Sequence, residues 1–188
     1  MDESAILRGQ LATERIHAAQ VVNACLIVFG AAREPPAQSG AFREASVSYL
    51  AWVLSRFEQR DQLLGELISA SRATASGTPE ASVPTELAEL AAREGTSRQA
   101  LTRLESALSA ASPELARAAW QAFGQYFNSL WCARREAIEG QLARLPRIAS
   151  WRAVSAIDAD SILEERARYA QVAERLPPGV TLLGGTGH

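Results

Sequence analysis

The 188-residue sequence predicts an all-α fold, an antiparallel up-down-up-down four-helix bundle followed by a shorter C-terminal fifth helix. Three observations lead there. Apolar residues recur at spacings of three and four over four long stretches, as amphipathic helices require. Breaks bearing proline and glycine separate those stretches. No alternation of apolar and polar residues persists long enough to make a strand. Helices of about 25–30 residues would each run roughly 40 Å, and short connections force neighbours antiparallel.

The first helix is predicted from Ser4 to Ala32, with Leu7, Leu11, Ala18, Val21, Val22, Cys25, Val28 and Phe29 on one face. Glu34-Pro35-Pro36 ends it, because proline removes a donor and restricts the residue before it. After a connection over Pro35 to Gly40, the second stripe runs from Phe42 through Val47, Tyr49, Leu50, Val53, Leu54, Phe57, Leu64, Leu67 and Ile68 to about Arg72. Ala73 to Pro84, rich in Ala, Ser, Thr, Gly and Pro, reads as the longest loop. The third helix begins near Pro84 and aligns Leu87, Leu90, Leu101, Leu104 and Leu108, with Gly95-Thr96-Ser97 as a place for a kink. Ser112-Pro113-Glu114 then signals a restart: Ser112 as N-cap, Pro113 at the first helical position, Glu114 near the positive helix end.

The fourth helix, Pro113 to about Leu145, carries Leu115, Ala119, Phe123, Tyr126, Phe127, Leu130, Ile138 and Leu142, and Pro146 stops it. Ser161-Ile162-Leu163-Glu164 has the form of a capping box, opening a fifth helix that runs to about Arg175 before Leu176-Pro177-Pro178-Gly179 closes it. Residues 1–176 are therefore expected to form one helical domain and residues 177–188 a flexible Gly-rich tail. Trp151, Val154, Ile157, Ile162, Leu163 and Tyr169 are too many apolar groups for a free segment and should dock on the bundle or on a second copy.

Hydrophobic residues make up 47% and charged residues 21%, the balance of an ordinary globular chain. With a net charge of −2 there is no positive field to gather nucleic acid, and all 19 basic residues are Arg, which reads as genomic base bias. No apolar stretch approaches the ~18 residues of a membrane span, and no basic, apolar leader opens the sequence, so a cytoplasmic location is expected. In that setting Cys25 and Cys132, both among apolar neighbours, are expected to be buried and reduced.

Every apolar stripe is interrupted once by charge. The breaks are Glu14 on the first helix, Arg60 or Asp61 on the second, Glu94 on the third and Arg134 on the fourth. Glu14 and Glu94 fall about ten residues after their helix starts, and Asp61 and Arg134 about ten before their helix ends. In an antiparallel bundle all four then share one level, roughly 15 Å from one end. Buried charges at that level need a carboxylate–Arg network or a bound cation. Four-helix bundles place dinuclear metals there, commonly with Glu-x-x-His, and Glu14-Arg15-Ile16-His17 has that form.

Over roughly Leu7 to Leu145 the chain resembles the hemerythrin-like (HHE cation-binding) family, in helix lengths, hairpin pairing and local phrases. Arg98-Gln99-Ala100-Leu101-Thr102-Arg103-Leu104-Glu105-Ser106-Ala107-Leu108 is similar to that family's third helix, and Tyr126 to Leu145 to its fourth. The resemblance implies places for iron ligands. Here they read Arg15 on the first helix, Ser55 and Arg56 on the second, Glu94 on the third, and Leu130 and Arg134 on the fourth. A degenerate, metal-free member is what this pattern implies, since arginine puts positive charge where a cation would sit.

Three functional readings follow. The first is a non-catalytic module working through a protein partner, a small ligand or a homodimer, with Trp52, Trp120, Trp131 and Trp151 as aromatic anchor material. In the second, an enzyme or small-molecule binder uses the polar layer, with Glu14, Asp61 or Glu94 as general base, Arg134 as anion clamp and Tyr126 as acid or donor. The third is a di-iron or manganese site built from carboxylates of Glu14, Glu58, Asp61, Glu94, Glu136 and Glu139 with His17. The first, without cofactor, is the expectation carried forward.

Overall fold

The structure, a computed structural model, describes residues 3–31, 36, 39–76, 85–109, 112–142 and 159–182. Nearly all of them lie in five helices: α1 (Glu3–Phe29), α2 (Ser39–Ser76), α3 (Thr85–Ser109), α4 (Pro113–Leu142) and α5 (Ala159–Glu174). No strand occurs among the described residues, in keeping with the all-α expectation. Helix α1 packs on α2 and α4, α3 packs on α2 and α4, and α5 lies against α2 and α1.

Local chemistry sets the helix ends. The N–H of Gly30 closes the last turn of α1 on the Leu26 carbonyl at 2.9 Å. A Cβ at Gly30 would come within 2.6 Å of that same oxygen, so only glycine fits. The Gly30 carbonyl in turn accepts from Gln121 Nε2 at 2.9 Å, tying the end of α1 to α4. At the start of α4, the Leu115 N–H donates to Ser112 Oγ at 3.3 Å, the expected N-cap with Pro113 behind it.

Several boundaries differ from the expectation. Helix α2 continues to Ser76 through what reads as loop from Ala73, because Ala73 and Ala75 favour the helix even without an apolar period. Helix α3 passes through Gly95 unbroken; that glycine is exposed, and a residue without packing duties costs propensity without stopping the helix. Helix α5 starts at Ala159, so Ser161 lies inside the first turn and is not the cap. Glu164 pairs instead with Arg168 one turn on, at 2.9 Å. Residues 177–182, expected to begin a free tail, sit on the core. Pro177 is buried, Leu176, Val180 and Leu182 pack against the core, and Gly179 makes the turn at φ 80°. Residues 183–188, and Trp151, Val154 and Ile157, lie outside the described residues.

The core is an aromatic column with aliphatic residues around it. Phe29 of α1 stacks on Phe42 of α2 at 5.8 Å and on Trp120 of α4 at 5.5 Å, and the column continues through Phe123 to Phe127 at 6.2 Å steps. Trp120, Phe123, Phe127 and Leu130, at spacings of three and four, thus form the inward seam of α4. Tyr126 stands one residue, or about 100°, from Phe127 and is 39% exposed, and Leu115 is also exposed. Both face solvent and not the core, in which the apolar stripe places them.

The thiols divide in the same way. Cys25 is buried as expected, beside Ser46, whereas Cys132, two residues beyond Leu130, is exposed. Burial pushes the Cys25 thiol up to about 12, so it holds its proton and cannot act as a nucleophile near neutrality. Native protein treated with an aromatic disulfide reagent is expected to release one equivalent quickly, from Cys132. Cys132→Ser should abolish that fast phase, and a fast phase that survives it would show that Cys25 is reachable.

Candidate functional site

Two buried polar clusters meet between α1, α2 and α5. In the first, Glu14 projects from α1 into the interior and is taken by Arg60 of α2 through both guanidinium nitrogens. Nη1 donates to Oε2 at 2.5 Å and Nη2 to Oε1 at 3.0 Å. This is the side-by-side fork that arginine makes with a carboxylate, and both side chains are 4% exposed or less. Arg56, one turn before Arg60, reaches Oε1 of the same carboxylate at 3.4 Å and lays its guanidinium on the Trp52 ring at 4.7 Å. Asp61 and Arg15 are buried in the same region, and the Arg15 guanidinium lies 5.8 Å from the Trp131 ring of α4.

The second cluster centres on Glu165 of α5. Its Oε1 accepts from the Tyr49 hydroxyl at 2.8 Å and lies 2.9 Å from Nδ1 of His17. Glu165 is buried, and His17 keeps 20% of its side chain exposed. Tyr169, one turn after Glu165, stacks on the His17 ring at 3.8 Å with a 10° tilt, and its hydroxyl donates to Gln20 Oε1. Arg168 adds a cation over Trp52 at 5.3 Å. A carboxylate on Nδ1 sets the imidazole tautomer and the ring orientation.

The clusters share a field. Burial first, then the negative charge of Glu165 and the hydrogen bond to it, and then the charge of Glu14, push the Tyr49 hydroxyl far above its ordinary range. Burial and Glu165 raise Tyr169 in the same direction. In the unfolded chain Tyr49 ionises near pH 10 and Cys25 near 9, whereas in the folded chain both keep their protons. Above those values the unfolded chain binds fewer protons, so stability falls as pH rises, by about 1.4 kcal/mol per unit for each group; below pH 9 neither contributes a slope. Denaturant unfolding between pH 8 and 11 should therefore steepen in wild type and flatten in Tyr49→Phe and in Cys25→Ala. A wild-type profile flat across that range would contradict these burials.

Of the residues singled out in the sequence, Glu14 and His17 lie in these clusters, and Asp61 is buried one position beyond Arg60. Tyr126 stands apart on the exposed side of α4. The side chains of Glu94, Arg134 and Glu139 lie outside the described residues. Glu58 is engaged by Arg98 of α3, a link between α2 and α3. Among the described residues no group of three His, Cys, Asp or Glu side chains could hold a metal ion. Sequence reasoning passed over Glu165 and the Tyr49 hydroxyl. The signal was present in α5, where Glu165 interrupts a face made by Ile162, Tyr169, Val172 and Leu176 just as Glu14 interrupts that of α1.

Compared with protein-family models, with curated proteins and with solved structures, the chain matches none.

Proposed function

We propose that the chain is a metal-free, hemerythrin-like antiparallel four-helix bundle that works in the cytoplasm as an interaction module and not as a catalyst. The observation that carries this reading is the Glu14–Arg60 fork. Both oxygens of the carboxylate that a cation or a substrate proton would need are taken by a guanidinium at 2.5 and 3.0 Å. A cation at that place would have to displace Arg60 and then sit beside it.

Contacts along the helices support the antiparallel order. From Phe29–Phe42 to Glu14–Arg60 the numbers fall along α1 and rise along α2. From Leu26–Gly124 to Arg15–Trp131 they fall along α1 and rise along α4. Helix α3 touches both α2 and α4, completing a ring of four neighbours, with α5 outside it on α1 and α2. Two unpaired thiols suit a reducing compartment. Among the described residues no helix is long and apolar enough to cross a membrane.

Elemental analysis tests the reading. Protein loaded with ferrous iron or manganese and then desalted is expected to retain no stoichiometric metal. Retention of whole equivalents, lost in Glu14→Gln, would overturn it.

A further inference from the structure

The way α5 is seated differs from the way the other helices meet. Helices α1 and α2 each give the core several fully buried apolar groups, among them Val21, Val22, Leu50 and Val53. Among the described residues helix α5 brings one fully buried apolar side chain, Val172, with the Tyr169 ring partly buried against the core and Leu176 just after the helix, and its other contacts are polar. Glu165 is received by the His17 ring and the Tyr49 hydroxyl, Arg168 lies over Trp52, and Tyr169 bonds Gln20 while stacking on His17. These positions fall at i, i+3, i+4 and i+7 of one helix face, the spacing by which an amphipathic helix is read in a groove.

The groove supplies the complement of that face. It presents donors to a carboxylate, an acceptor to a phenol, an indole to a guanidinium, and an apolar floor to a β-branched side chain. A polar contact of this kind is released more cheaply than an apolar one, because Glu165, Arg168 and Tyr169 recover their hydrogen bonds from water on leaving.

We propose that the groove between α1 and α2 is a helix-docking site, filled in cis by α5 and open to a partner protein's helix carrying the pattern Glu-x-x-Arg-Tyr-x-x-Val. Helix α5 is the resident competitor. As part of the same chain it acts at an effective concentration on the order of millimolar, so an incoming helix enters when it binds more tightly or when the Glu165 anchor is loosened. The proposal rests on the interaction-module reading. Stoichiometric metal in the loading experiment would end that reading and leave the groove result standing, whereas the outcomes below bear on the groove alone.

The test uses full-length protein and, as probe, a fluorescein-labelled synthetic peptide of residues 159–182. Wild type is expected to bind the peptide weakly, and Glu165→Ala, whose own α5 has lost its anchor, at least tenfold more tightly. Tyr49→Phe or His17→Ala in the Glu165→Ala chain should remove most of that gain, and a peptide with alanine in place of its glutamate should not bind. Cooperative unfolding of each variant shows that the body of the protein is intact. If a variant fails to fold, amide exchange in wild type decides: α5 should exchange faster than α1 and α2. Equal peptide binding to wild type and to folded Glu165→Ala, binding unaffected by the groove changes, or α5 amides that exchange only with global unfolding would overturn the proposal.

Discussion

Replacing Arg60 by alanine is expected to cost about 3–5 kcal/mol of folding stability, a large share of the roughly 5–15 kcal/mol that holds an ordinary domain folded. Arg60 is 2% exposed and gives two hydrogen bonds to Glu14, so its removal leaves a carboxylate that is 3% exposed and that keeps, among the described residues, the longer bond from Arg56. The loss comes from the stranded charge more than from the missing bonds. Denaturant unfolding monitored by far-ultraviolet circular dichroism measures it. A cost under about 1 kcal/mol would mean that water reaches Glu14 in the folded chain.

The second large effect is expected at Trp120. This ring is fully buried, stacks on Phe29 at 5.5 Å and meets Phe123 edge-on at 6.2 Å, so it joins the end of α1 to the middle of the aromatic column. Trp120→Ala should cost about 3–5 kcal/mol, the sum of lost burial and the cavity left behind. Trp120→Phe should cost much less. The indole Nε1 is buried with no hydrogen-bond partner among the described residues, and phenylalanine removes that unmet donor together with part of the ring. Chemical unfolding of the two variants side by side checks this. Equal losses would show that the cavity left by the ring does not set the cost at this position.

These effects sit at positions of different legibility. Glu14 and the Arg60–Asp61 pair were readable because a charge inside an apolar stripe of period 3.6 has few places to go, and burial must then supply a counter-charge. Ser112 and Pro113 were readable because a cap acts locally. The face of α4 was harder. Trp120, Phe123 and Phe127 define its seam, yet Leu115, Tyr126 and Cys132 are apolar enough to be drawn into the same stripe. A rotation of one residue decides which side of the helix is inside. Helix α5 was legible as a helix, while its role as the carrier of Glu165 depends on which helices it meets, and periodicity within one segment does not carry that information. The end of α2 lies beyond the expected one for the opposite reason, since Ala73 and Ala75 keep a helix going where no apolar period marks it.

The charge of Glu14 is held by the protein's own Arg60, and a double-mutant cycle between the two is the sharpest test of that pairing. Wild type, Glu14→Leu, Arg60→Met and the double variant are unfolded under one set of conditions, and the coupling is the amount by which the two single losses exceed the loss of the double. A coupling of at least about 2 kcal/mol is expected, with the double variant more stable than Arg60→Met alone, because removing the pair together leaves no orphaned charge. A coupling near zero, with the two single losses simply adding, would contradict it.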